Sequence, residues 1–383
     1  MSDRQVEYLL IGGGLAAGNC ARWLRQSGAD GSILLVGREP DLPYNRPPCS
    51  KGYLQGKESR EDVLFRPAGW FTEQQIEVLT RTSVMKLDLA AHTVKLSDRS
   101  EIGFGKALLA TGANVRRLNV PGCELEGIHY LRTLANSEAI REDASGKRVV
   151  LIGGSYVASE VAASLTELGS TCTMVMIEPV VLSRGFGLRA GRFLQSALEE
   201  RGITVLGDDE LERFEGSDGR VTRVITKAGR ELEADAIVIG VGAVPGIYAA
   251  GDIAQFDSVV NGGASIRVEH WDVAFNHGKT AALNMLGHDT PHDVVPYFFS
   301  DLSDWVSLEY VGPAFEWDRE VVRGSLGDGE FTVFYLQSAR VAGALSVGRS
   351  DDLDAARRLI SSAADLADKV EALGDLSSDL SQL

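Results

Sequence analysis

Cysteine is scarce. The 383 residues hold four, Cys20, Cys49, Cys123 and Cys172, far apart and with no C-x-x-C. That excludes a local redox disulfide or a thiolate metal site and makes a reduced, cytoplasmic protein the expectation. Long apolar runs are missing too. The longest charge-free run, Ala236 to Gly251, has 16 residues broken by Gly and Pro. A spanning helix needs about 20, so no membrane segment is expected. The polar N-terminus runs straight into a strand by Tyr8, so no signal peptide is read, and Ser381-Gln382-Leu383 lacks the lysine of a peroxisomal address. Basic residues are in deficit, 38 against 54 acids, a formal net charge of −16. Non-specific binding to nucleic acid or an anionic membrane is disfavoured, though a local basic patch for an acidic partner is not. A hydrophobic content of 44% argues against disorder.

Glycine is in surplus: 42 residues, about 11% against a usual ~7%. It follows no G-X-Y period, so it must sit in loops and close backbone approaches. At about 150 residues per domain, the length allows two or three domains.

Residues 6–11 form an apolar run closed by Gly12-Gly13-Gly14. Helical spacing follows over 15–26, then a second apolar run over 33–36. This is strand, glycine turn, helix, strand, a βαβ unit. The pattern returns about 140 residues later: 148–152, Gly153-Gly154-Ser155, a helix over 156–168 and a strand over 172–177. Residues 84–110 alternate as antiparallel strands do, with a short strand 107–110 ending at Thr111-Gly112. A second meander is expected over 203–239, a strand at 247–252, a helix over 273–286, strands over 297–311 and 319–347, and an acidic helical stretch over 351–383.

Gly12-x-Gly14-x-x-Ala17 fits the dinucleotide fingerprint. The first glycine makes the tight turn, the second admits a pyrophosphate to the backbone, and the small third residue packs helix on strand. The helix N-terminus offers free amides and the positive dipole end. Glu39, 22 residues beyond Ala17, is the candidate for ribose hydroxyls. The second loop is degraded, with Ser155 in place of the middle glycine and Ala158 of the third. Glu178 ends the following strand; a carboxylate there accepts from a 2′-OH and repels a 2′-phosphate, favouring NADH over NADPH.

Six further segments carry a resemblance: Pro43-Tyr44-Asn45-Arg46-Pro47-Pro48-Cys49-Ser50-Lys51, Leu109-Ala110-Thr111-Gly112-Ala113, Tyr130-Leu131-Arg132-Thr133-Leu134, Tyr248-Ala249-Ala250-Gly251-Asp252, His270-Trp271-Asp272-Val273-Ala274 and Pro296-Tyr297-Phe298-Phe299-Ser300-Asp301. In this order they make the chain, from residue 6 to about 348, resemble the FAD-dependent ferredoxin reductases and apoptosis-inducing-factor-like reductases of the pyridine-nucleotide–disulfide oxidoreductase superfamily. The resemblance implies an α/β fold with two Rossmann-like, glutathione-reductase-like domains and a C-terminal α+β domain. FAD would occupy 1–116 and 246–289, NADH would occupy 117–245, and the third domain would cover 290–383.

The resemblance also implies site residues. Gly12, Gly14, Ala16 and Ala17 fall at the FAD pyrophosphate, Arg38 and Glu39 at its ribose, and Val84 at the adenine. Arg46, Thr111, Gly112, Arg132, Gly251 and Asp252 fall along the rest of FAD, with Trp271 at the flavin edge. Lys51 falls beside the flavin, where a cation stabilises reduced-flavin charge. Gly153, Ser155, Tyr156, Glu178 and Gly242 fall on NADH, with Glu160 at its carboxamide. Lys51 and Glu160 are the candidate catalytic residues in supporting roles, since the flavin supplies the chemistry. His270 is read as positional.

Several positions depart from the pattern. Arg38 stands where relatives often carry the ribose acid. The C-x-x-x-x-C pair of the disulfide branch is absent, and Cys49 stands where leucine is usual, either packing or acting as a redox thiol. Phe299 and Leu302 replace residues often Trp and Gln, which weakens the case for an iron–sulfur acceptor, while Trp305 and Trp317 offer either a substitute surface or core. About 27 family residues are missing between Pro245 and Gly246. Two residues reach about 7 Å, too short for that crossing, so the reading favours a segment missing from the sequence over a shortened connection.

The expected function is hydride transfer from NADH to FAD, then single electrons to an acceptor such as a ferredoxin. The alternatives are a thiol-linked NADH oxidase or peroxidase using Cys49, and a non-enzymatic NADH-sensing flavoprotein. Neither nucleic acid, membrane nor metal is expected, and the family pattern allows a homodimer.

Overall fold

A computed structural model describes residues 4–241, 243–244 and 250–383. The expectations at Gly242, Tyr248-Ala249 and Pro245/Gly246 lie outside the described residues. The chain divides into two compact units, the described residues within Met1–Arg46, Arg60–Ala113 and Pro245–Pro296, and those within Pro47–Ser59, Asn114–Val244 and Tyr297–Leu383.

The first unit begins β1 (Arg4–Ile11), α1 (Leu15–Gln26), β2 (Ile33–Val36), α2 (Ala68–Glu73) and β3 (Ile76–Leu79). Then follow β4 (Val84–Asp88), β5 (Thr93–Leu96) and β6 (Glu101–Leu109). They make one six-stranded sheet in the order β3-β2-β1-β6-β5-β4. The strands β3, β2, β1 and β6 run parallel, Leu10 standing between Leu35 and Leu108. The expectation for 84–110 is half right. The strands β4, β5 and β6 do pair antiparallel, but β6 also lies parallel to β1. Its apolar residues explain this: Leu108 packs into one face of the sheet, Ile102 and Phe104 into the other. A strand covered on both faces belongs inside a parallel sheet.

The second unit opens with β7 (Ile128–Tyr130), α3 (Leu134–Ala144), β8 (Arg148–Ile152), α4 (Tyr156–Glu167), β9 (Thr171–Val175), α5 (Ser183–Glu199) and β10 (Thr204–Leu206). The strands β11 (Leu211–Ser217), β12 (Arg220–Thr226), β13 (Glu231–Glu233) and β14 (Ala236–Ile239) follow. The parallel sheet runs β10-β9-β8-β14-β7, and β11-β12-β13 form a separate antiparallel sheet. The 203–239 meander is therefore only its middle. Its ends, β10 and β14, join the parallel sheet, β10 at its edge and β14, buried throughout, inside it.

The chain then supplies α6 (Trp271–Met285) to the first unit, where it crosses α1. A Cβ on Gly278 would stand 2.4 Å from the Ala16 carbonyl oxygen, so only glycine permits this approach. The second unit is completed by β15 (Tyr297–Leu302), β16 (Val306–Val311), β17 (Arg319–Ser325), β18 (Glu330–Gln337), β19 (Arg340–Val347), α7 (Asp351–Ser362) and α8 (Val370–Gly374). These strands form an antiparallel sheet, β15-β16-β19-β18-β17. Its Leu302, Phe331 and Tyr335 share a core with Met174, Phe186 and Leu194. Among the described residues no helix is long and apolar enough to cross a membrane.

Candidate functional site

In the first unit, β1 ends in Gly12, whose φ is +135°. A Cβ there would lie 1.9 Å from the Ala110 carbonyl oxygen. Gly12 therefore lets the turn pass between the ends of β2 and β6, its amide donating to Val36. Gly14 differs: its backbone is extended, and a Cβ would meet nothing within 4 Å. No side chain caps α1, so its first amides open onto that space. The tight turn at Gly12 and the open space at Gly14 make a cradle for an anion at a helix N-terminus. Gly251, φ +80°, stands against Ala16 and Ala274, which brings a second helix N-terminus, also without a side-chain cap, to the same place. Ala250 donates to the Leu109 carbonyl, just before Thr111 and Gly112.

Around this cradle, Glu39 is three-quarters buried or more and both its oxygens are engaged. Tyr44 Oη donates to Oε2 at 2.7 Å, and Arg46 Nη2 to Oε1 at 2.5 Å. Arg46 thus fixes the carboxylate, while Arg38 is exposed. Arg81 and Thr82 donate to the carbonyls of Glu39 and Gly37, which brings the loop before Val84 alongside. Trp271 donates through Nε1 to Asn45 Oδ1 at 3.0 Å and stacks on Phe275. Arg267 donates to the Asp252 carbonyl.

In the second unit, Gly153 has φ +118° and a Cβ would lie 2.4 Å from the Gly240 carbonyl oxygen. Ser155 N-caps α4 by position without capping it. Its Oγ donates instead to that Gly240 carbonyl at 2.8 Å. The hydroxyl that spoils the fingerprint is thus turned away, and the helix amides are left as a glycine would leave them. Tyr156, at the first turn, packs on Phe298 with ring centroids 4.4 Å apart, and burial pushes its hydroxyl up to about 12. Glu178 pairs with the exposed Arg184 at 2.6 Å. Arg132 donates its amide to Asn136, inside the capping box of α3.

Lys51 and Glu160, distant in sequence, form a buried ion pair at 2.6 Å. Ser50 Oγ donates to Glu160 Oε2 at 2.6 Å and Ser300 Oγ to Oε1. The Lys51 ammonium also lies 5.6 Å from the Phe299 ring centroid, within cation–π range. A cation and an anion are thereby held next to the second nucleotide loop, each satisfied and neither free to rotate. Ser50 and Ser300 were not singled out in the sequence. No local signal marks them, since Ser50 stands beside Lys51 and Ser300 beside Asp301 in segments that already carry polar residues.

The cysteines are all free thiols. Burial pushes Cys20 up to about 12 and Cys172 up to about 11, so both stay protonated and pack as small hydrophobes. Cys49 is buried, and its carbonyl accepts from Ser137 Oγ. Trp317 packs on Tyr335, and Trp305 donates to Glu167 beneath Arg201.

Two sheets with parallel strands at their centre, each with a glycine turn feeding an uncapped helix, define an oxidoreductase of the two-dinucleotide type. The chain belongs to the pyridine nucleotide-disulphide oxidoreductase family, whose model matches residues 6–245, and a "reductase C-terminal" model matches 297–383. It is 31% identical to a ferredoxin–NAD(P)(+) reductase of a Sphingomonas species, over 94% of each chain. Among solved structures it is similar to a ferredoxin reductase from Rhodopseudomonas palustris, at 30% identity and TM-score 0.92, over 100% of this chain and 99% of that one. It is similar at TM-score 0.92 and 29% identity to the reductase of a covalent putidaredoxin reductase–putidaredoxin complex, over 100% and 98% of the two chains. The chain is accordingly an FAD-dependent oxidoreductase that uses a nicotinamide nucleotide.

Proposed function

We propose that the protein takes electrons from NADH onto FAD and delivers them singly to a small iron–sulfur protein. The carrying observation is the cradle at Gly12–Ala17, where of the three glycines only Gly14 would leave an added Cβ in open space, at the start of an uncapped helix. The donor set suits a pyrophosphate. Bound there, FAD supplies the conversion of one hydride, two electrons and a proton, into two single-electron deliveries.

This chain's residues then have defined tasks. Gly14, Ala16 and Ala17 approach the FAD phosphates, with Glu39, held by Tyr44 and Arg46, at the ribose. Gly153, Ser155 and Tyr156 approach the nicotinamide nucleotide. Lys51 holds positive charge for the reduced cofactor. Glu160 fixes Lys51 and accepts from the carboxamide. The FAD domain is assigned to 1–116 and 246–289, the NADH domain to 117–245 and the C-terminal domain to 290–383, with the family matches at 6–245 and 297–383 in support. Glu178 supports NADH over NADPH, and four free thiols suit a reducing cytoplasm. For the acceptor, the support is the two relatives named for ferredoxin and the putidaredoxin complex.

The test is spectroscopic. The purified protein should be yellow, bleach on anaerobic addition of NADH, and recover its colour when oxidised ferredoxin is added. A protein that binds no flavin, or whose flavin NADH does not bleach, overturns the reading. A bleached protein that no iron–sulfur carrier reoxidises overturns the acceptor alone.

A further inference from the structure

Helix α6 places His277 beneath the turn at Gly251. The Gly251 amide donates to His277 Nδ1 at 3.2 Å, and the ring is buried. An imidazole that accepts through Nδ1 is neutral, with its proton on Nε2. His292 stands beside it, ring centroids 4.3 Å apart, and Phe256 meets both rings edge-on at 4.7 and 5.0 Å. His292 Nδ1 lies 3.3 Å from Thr280 Oγ1. The residues of α1 at this crossing, Ala16, Asn19 and Cys20, carry no charge. The group that acts electrostatically on His277 is His292, and the one that acts on His292 is Asp293. A proton on His277 would remove the acceptor from Gly251. It would also put a cation in an apolar enclosure beside a second imidazole.

We infer that His277 is a positioning residue for the cofactor site: as a neutral acceptor it fixes the Gly251–Asp252 turn, and its protonation releases that turn. The inference rests on the FAD reading and adds a pH limit to it. Burial, and then His292, push His277 down to about 3 from an ordinary 6.5. A depressed histidine favours the folded turn fully above about pH 6.5, and that support drains away as pH falls from there toward 3.

Two readouts test this on the whole protein: FAD release followed by flavin fluorescence at pH 7.5 and 5.0, and hydrogen exchange at the Gly251 amide with and without FAD. His277→Ala should release FAD about tenfold faster at pH 7.5, the scale of one lost hydrogen bond, and should deprotect Gly251. His277→Gln keeps an acceptor that cannot be protonated. It should restore retention at pH 7.5 and abolish the faster release that the wild type shows at pH 5.0. If His277→Ala matches the wild type in both readouts, or His277→Gln keeps the acid dependence, the inference falls. If no variant binds FAD at any pH, the cofactor reading falls, and Gly251 exchange in the flavin-free protein still decides the role of His277.

Discussion

Glu160 is shared by three partners from two other segments, so its charge and its lone pairs can be removed separately. With side-chain exposures of 15% for Lys51 and 6% for Glu160, either partner alone is a costly buried charge. Lys51→Met and Glu160→Gln should each cost about 3 kcal/mol in denaturant unfolding, and the double variant far less than the sum. Strict additivity would mean the pair does not couple. Both residues were legible in their motifs, but their contact was not, because more than a hundred residues separate them and no periodicity reports such a pair. Ser155 shows the opposite case. Its departure from glycine looks damaging in sequence, and only the Gly240 carbonyl explains where the hydroxyl goes. For Glu178 the expectation concerns specificity. Glu178→Gln removes the charge that pairs with Arg184, so on the proposed role kcat/KM with NADPH should rise relative to NADH. An unchanged ratio would remove Glu178 from nucleotide selection.

At the scale of elements, the two βαβ units were readable because each combines an apolar strand, a glycine turn and a helix of period 3.6. The helix α5 was not. It carries Gly185, Gly187 and Gly191, and Gly187 leaves helical geometry with φ +74°, so propensity argues against it, although its buried Phe186, Ala190, Leu194 and Leu198 keep i, i+4 spacing. Strand partnership was also hidden at β6 and β10, since alternation reports which face is buried and not which strand lies alongside. The turn after β1 gives a test of local reasoning. Gly12→Ala adds a methyl onto a carbonyl in a left-handed conformation and should destabilise the protein by more than about 3 kcal/mol. Gly14→Ala, with extended backbone and open space, should change stability by no more than about 0.5 kcal/mol. Its methyl would instead intrude on the bound phosphates and weaken FAD binding by about 1–3 kcal/mol. Thermal melts and flavin titration of the two variants separate fold from site. Equal loss of stability in both would refute the cradle.

For the whole molecule, the decisive quantity is the formal charge of −16. Iron–sulfur carriers are commonly acidic, so long-range forces between two such proteins are repulsive, whatever the contact surface offers at short range. The Debye length is about 30 Å at 0.01 M salt and ~8 Å at 0.15 M. Over the first distance the net charge of the whole chain is felt, and over the second only the groups nearest the approaching partner. Added salt should therefore raise kcat/KM for an acidic ferredoxin across that range, by speeding association and leaving kcat unchanged. A nicotinamide nucleotide is small beside a protein partner, so on the proposed function the NADH half-reaction followed by stopped flow should respond far less. A steep fall of kcat/KM with salt would show instead that a local cluster of arginines outweighs the remaining surface.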